Sequence, residues 1–166
     1  MRKAMGSEHH IAIRKGKKNQ NARYRLQISS KEMCSDLCAL GISTKKAHTV
    51  CFPSVPSKFL SNFVRGYFDG DGNVWSGDIH IDRKKQTPML LTAFTSCSKK
   101  FLEGLRDALH SEGIGNGSLF FTGNVYRLQY GLHDSIMLYR ILYRDDVKLH
   151  LLRKRNVYEE FIKMRV

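Results

Sequence analysis

The chain has 166 residues, 42% of them hydrophobic, which suffices for one domain with a real core or two small related halves and argues against disorder. Lys and Arg number 28 against 15 Asp and Glu, and the resulting net charge of +13 is spread along the whole chain, so the expected partner is a polyanion, most commonly nucleic acid. No run of about 18 apolar residues occurs and "MRKAMGSEHH" holds no apolar signal core; neither a membrane partner nor secretion is expected, and the expected location is the cytoplasm, or an organellar matrix if the gene is organellar.

In chain order, "HHIAIRK" and "ARYRLQIS" alternate as strands do and are joined by the polar "GKKNQN", which predicts a hairpin. "SSKEMCSDLCALG" predicts a helix, with a capping box from Ser29 to Glu32, apolar residues at 33, 37 and 40, and Gly41 closing it. Cys34 and Cys38 lie one turn apart on it among Met33, Leu37 and Leu40 and read as helix packing. With Cys51 and Cys97 they form no C-x-x-C pair, and two ligands do not make a structural zinc, so reduced thiols are expected.

The aperiodic "STKKAHTVCFPSVPS" holds two of the three prolines and predicts a surface connector, with an internal boundary at 51–56. From 57 to 70, Phe59, Leu60, Phe63, Val64, Tyr67 and Phe68 recur as adjacent pairs every four residues, the broad stripe of a buried helix. "NVWSGDIHI" and "PMLLTAFTS" then predict two strands. "SKKFLEGLRDALHSEG" predicts a helix capped by Ser98 and ended by Gly113, with Phe101, Leu102, Leu105, Ala108 and Leu109 on one face. "GSLFFTG" and "NVYRLQYG" form a second strand pair turning at Gly123-Asn124, and "HDSIMLYRILYR" and "LRKRNVYEEFIKM" close the chain as helices.

Laid side by side, these elements contain a repeat. "RKAMGSE" at 2 matches "RDALHSE" at 106, "YRLQIS" at 24 matches "YRLQYG" at 126, "KEMCSDLCALG" falls on "HDSIMLYRILY", and "TKKAHTV" falls near "LRKRNVY". Residues 1–50 therefore read as the back half of a unit whose complete copy is 57–166, and the first copy lacks any equivalent of the 57–70 helix.

That helix ends in "FVRGYFDGDG", residues 63 to 72, where two carboxylates and three glycines follow an apolar run. Asp and Gly end helices on their own account, so a plain helix stop is one reading. A calcium loop is not: an EF-hand counted from Asp69 needs Gly at its sixth position and Glu at its twelfth, and Val74 and His80 stand there.

With its flanks "FPSVPSKFLSNFVRGYFDGDGNV", the earlier "RYRLQISSKEM", and the later "LLRKRNVYEEF", the chain resembles the LAGLIDADG homing endonucleases, in their two-repeat, intron- or intein-associated branch. The nine-residue motif falls on Val64 to Gly72. The resemblance implies an α/β (α+β) fold, an antiparallel β saddle backed by helices, and a site-specific endonuclease acting on double-stranded DNA. It implies that two such helices pack together, with Gly66 and Gly70 letting their backbones approach, and that Asp71 holds a catalytic Mg²⁺ or Mn²⁺, with Asp69 and Gly72 as neighbours. Lys154, with Arg153 beside it, is the candidate late basic group, and Lys46 is its counterpart by the repeat; phosphate contact is the alternative role for each lysine. The DNA-facing candidates on the strands are Asn73, Trp75, His80, Asp82, Arg83, Lys85, Arg127 and Gln129. One motif per chain implies a homodimer through the 57–70 helix or a repeat supplied upstream. A binding protein that does not cleave, as maturases and some regulators of this family are, and a truncated remnant are the alternatives.

Overall fold

The computed structural model describes residues 5–15, 22–42, 48–79, 87–144 and 147–165. Lys46, His80, Asp82, Arg83 and Lys85 lie outside them. The chain divides into two compact units, Met1–Ala39 and Leu40–Val166. Among the described residues, no helix is long and apolar enough to cross a membrane.

The first unit is a hairpin and a helix. Strands β1 (Ile11–Arg14) and β2 (Arg23–Leu26) pair antiparallel with Ile11 opposite Leu26, and α1 spans Lys31–Ala39. The N-terminal cap of α1 is Ser30, whose Oγ accepts the Met33 N–H at 3.1 Å, one residue later than the capping box expected at Ser29. α1 buries none of its residues, so Cys34 and Cys38 are exposed rather than packed. A two-stranded sheet has no interior strand, and so offers the helix little to pack on.

The second unit repeats that order inside a larger frame. It runs α2 (Ser57–Asp71), β3 (Gly72–Ile79), β4 (Thr87–Ser96), α3 (Lys99–Ser111), β5 (Ser118–Thr122), β6 (Val125–Tyr130), α4 (Leu132–Leu142) and α5 (Leu152–Lys163). The four strands form one antiparallel sheet in the order β3-β4-β6-β5. Leu128, the repeat counterpart of Leu26, is fully buried here because β6 lies between β4 and β5. As expected, α3 starts at Ser98, whose Oγ accepts the Phe101 N–H at 3.3 Å, and Gly113 follows its end at φ +86, where a side chain would be strained.

Alternation divides the sheet into two faces. Val74, Leu90, Thr92, Phe94, Leu128 and Tyr130 point toward the helices and, apart from the half-buried Val74, are fully buried. Their neighbours along each strand, among them Asn73, Trp75, Thr95, Arg127 and Gln129, point the other way. The antiparallel sheet backed by helices is thus as the sequence predicts.

At 100° per residue, α2 turns different residues toward different neighbours. Leu60, Val64 and Phe68 form the buried side, one member of each apolar pair; Phe63 and Tyr67 are half-buried beside them, and Phe59 is 52% exposed. Phe59, Asn62, Gly66 and Gly70 make an exposed stripe, and among the described residues a Cβ on either glycine would meet nothing within 4 Å. Arg65 and Asp69, one turn apart on the remaining side, reach the α4–α5 region. Gly72 is required by close approach, because a Cβ there would sit 2.3 Å from the Phe68 ring and 2.6 Å from its carbonyl oxygen.

Candidate functional site

α2 delivers Asp71 to the point where the helix passes directly into β3. The Thr95 hydroxyl donates to the Asp71 carbonyl at 2.8 Å, and the Gly72 N–H closes the helix on the Phe68 carbonyl. The Asp71 side chain stays exposed at the helix end. A cation there is favoured by the carboxylate and by the negative end of the helix dipole.

The two motif carboxylates do different work. Asp69 Oδ2 accepts the Leu151 N–H at 3.0 Å, where α5 begins, and its Oδ1 is buried with no hydrogen-bond partner among the described residues. Asp71 is therefore the accessible carboxylate of the pair. Among the described residues no three His, Cys, Asp or Glu converge as a metal cage. A single carboxylate still fits Mg²⁺, which retains waters and is commonly held by one or two carboxylates together with substrate phosphates.

Lys154 is 4% exposed. Its ammonium donates to the carbonyls of Phe68 at 2.5 Å, Asp69 at 3.1 Å and Gly72 at 2.6 Å, which occupies all three of its N–H groups. It also lies 4.8 Å from the centre of the Phe68 ring. Burial and the neighbouring Arg153 lower its pKa, while Asp69 and Asp71 oppose that shift. Arg153 itself is exposed at the start of α5.

Beside Asp71, the sheet face turned away from the helices carries polar groups in register. Asn73 pairs with Ala93, Ala93 with Gln129, and Gln129 with Ser118, a row across all four strands. Thr95 pairs with Arg127, whose Nε is buried without a partner among the described residues, and Arg127 with Phe120. One residue pair further from Asp71, Trp75 is 43% exposed opposite Leu91. A Cβ on Gly77 would lie 2.7 Å from the indole, so the ring lies over that glycine. Asn73, Trp75, Arg127 and Gln129 are thus brought to one face.

Along the exposed stripe of α2 runs an apolar groove of about 730 Å³, lined by Phe63, Gly66, Tyr67, Asp71, Cys97 and Phe101 among others. The Tyr67 hydroxyl donates to the Thr95 carbonyl, and burial raises its pKa to about 12, so it remains a neutral donor beside Asp71. Sequence reasoning did not find Arg65, Thr95 or Tyr67. Thr95 and Tyr67 carry no local signal, but the one cation set inside the apolar run of α2 was a legible hint for Arg65.

Residues 58–117 match the family of LAGLIDADG-like domains. No curated protein sequence matches the chain significantly. Among solved structures, the chain is similar to the homing endonuclease I-TnaI at 14% identity and a TM-score of 0.44, covering 63% of this chain and 69% of that one. It is also similar to the I-SmaMI LAGLIDADG homing endonuclease bound to cleaved DNA, at 16% identity and a TM-score of 0.46, covering 82% of this chain but only 44% of that one. With Asp71 at the end of its motif helix, the chain carries a LAGLIDADG-like domain in residues 58–117.

Proposed function

We propose that this protein is a metal-dependent, site-specific endonuclease of double-stranded DNA, of the homing type. The reading is carried by one juxtaposition: the accessible carboxylate of Asp71 stands at the edge of a sheet face that bears Asn73, Trp75, Arg127 and Gln129. In this reading the sheet face lies along the major groove, where Asn and Gln pair with adenine and Arg with guanine, while Trp75 supplies apolar contact. Asp71 would hold Mg²⁺ or Mn²⁺. When bound there, the metal would supply charge neutralisation at the phosphate and a lowered pKa for the attacking water. A Mg²⁺-dependent cleavage assay on DNA carrying the host insertion site, intron or intein, comparing the chain with Asp71→Asn, tests this.

Each chain offers one accessible motif carboxylate, so cutting both strands needs a second. The stripe of Phe59, Asn62, Gly66 and Gly70 suits a second copy of α2, because its glycines leave room for a backbone. Gly66→Leu is expected to leave the monomer's thermal stability unchanged or slightly higher, since Leu favours helix over Gly by roughly 0.8 kcal/mol, and to abolish self-association in sedimentation velocity. Equal association by the two proteins would remove the dimer from this proposal. A partner helix in an upstream repeat is the alternative source, consistent with reading 1–50 as the back half of a first unit. The single carboxylate also favours a second functional reading, a nucleic-acid-binding protein that does not cut.

Either reading requires electrostatic binding. Affinity for duplex DNA is expected to fall steeply with salt, by roughly 10³-fold or more between 50 and 200 mM if six or more phosphates are contacted. Fluorescence anisotropy over that range measures it, and a flat response would rule out DNA as the polyanion.

A further inference from the structure

Three charged side chains join the end of α2 to the α4–α5 region, and each sits where a helix terminus has unsatisfied groups. Lys154, from α5, meets the carbonyls at the C-terminus of α2. Asp69, from α2, accepts the N–H of Leu151 at the N-terminus of α5. Arg65, also from α2, donates from Nη1 to the Leu142 carbonyl at the C-terminus of α4, at 2.9 Å, and from Nε to the Leu149 carbonyl at 3.2 Å. Its remaining nitrogen donates to Asn62 Oδ1. Every sign complements the dipole it meets: cations at the two C-termini, an anion at the N-terminus.

A buried ammonium is costly unless it is hydrogen-bonded, and here all three donors are spent on main-chain carbonyls. None remains for a phosphate. The three carbonyls bracket Asp71 on both sides, at Phe68 and Asp69 before it and Gly72 after it.

We propose that Lys154 is a positioning residue, which with Asp69 clasps the end of α2 and fixes the direction of Asp71. It acts through the backbone and touches neither DNA nor metal. This inference rests on the proposed role of Asp71, but the clasp can be tested without it. The geometry needs a tetrahedral ammonium, whose donors diverge toward three carbonyls. Arginine has the charge but presents its donors in a plane, on a bulkier group.

The test compares the full chain with Lys154→Met, Lys154→Arg and Asp69→Ala by amide hydrogen exchange at Gly72 and by single-turnover cleavage in Mg²⁺. The Gly72 N–H bonds to the Phe68 carbonyl that Lys154 also holds, so its exchange reports on this last turn directly. Both Lys154 variants are expected to exchange there about tenfold faster or more, and to cut at least tenfold more slowly with unchanged KM for DNA. Asp69→Ala, which removes only the α5 side of the clasp, is expected to accelerate the same amide by a smaller factor. It also decides the question if the Lys154 variants do not fold. Restoration of the cleavage rate by Lys154→Arg would overturn the proposal, since it would mean that charge alone is needed. So would unchanged Gly72 exchange in Lys154→Met, or in Asp69→Ala if that variant stands alone. If the wild type neither binds Mn²⁺ nor cuts DNA, the endonuclease reading fails, while the exchange result still decides whether the clasp holds the helix end.

Discussion

Asp71→Asn is expected to cut DNA about 10³-fold more slowly than the wild type while binding it at least as tightly. A metal ion supplies several kcal/mol of charge stabilisation to the transition state of phosphodiester hydrolysis, and losing roughly 4 kcal/mol of it corresponds to that factor. The substitution removes an anionic ligand without disturbing the fold. The Asp71 side chain is exposed, and the contact that ties this residue to the sheet, from the Thr95 hydroxyl, goes to its main-chain oxygen. Binding is compared without metal, where removing a negative charge beside a polyanion lowers repulsion and no metal links the protein to phosphate. Cleavage by Asp71→Asn within tenfold of wild type would exclude Asp71 as the metal ligand. Binding by both proteins with cleavage by neither would leave the non-cutting reading in its place.

Phe68→Ala is expected to destabilise the second unit by about 3–5 kcal/mol, measured by chemical denaturation, because a fully buried aromatic side chain leaves a cavity its neighbours only partly fill. The ring lies 5.8 Å from Phe94 and 6.0 Å from Tyr158, centre to centre, and covers the Lys154 ammonium. Against a typical total of about 5–15 kcal/mol, that loss is large. Phe59→Ala on the same helix is the control, measured at concentrations where the chain is monomeric: its ring is exposed in the single chain, and the change should stay within about 0.5 kcal/mol. Equal effects of the two substitutions would mean that α2 packs on the sheet by a different face.

Two residues, Asp71 in the motif and Lys154 in α5, show why a placement could be read in one case and not in another. The placement of Asp71 was legible because it depends on local sequence, a helix that must stop and a glycine that lets the strand begin, whereas its metal role came from the family resemblance. Lys154 was legible only as a cation near a helix start. The structure spends its three donors on carbonyls that lie more than 80 positions earlier in the chain, and no period or spacing encodes that. The strand face behaves in the same way. Alternation groups Asn73 with Trp75 and Arg127 with Gln129, but only the register through β4 brings the two pairs to one surface.

The sequence by itself determined the elements, their order, the glycine-bounded end of α2, and the repeat of "YRLQ" in two hairpins, because periodicity, capping and turn chemistry act over a few residues. It could not decide which "YRLQ" would be buried. Leu128 is enclosed because β6 lies between β4 and β5, with Phe94, 34 positions earlier, opposite it, whereas among the described residues Leu26 has only β1 paired beside it. Nor could it say that Asp69 and Asp71, two residues apart on one helix, would part company. A helix places residues two apart on different sides, and tertiary packing set α5 against the one and left the other at the surface.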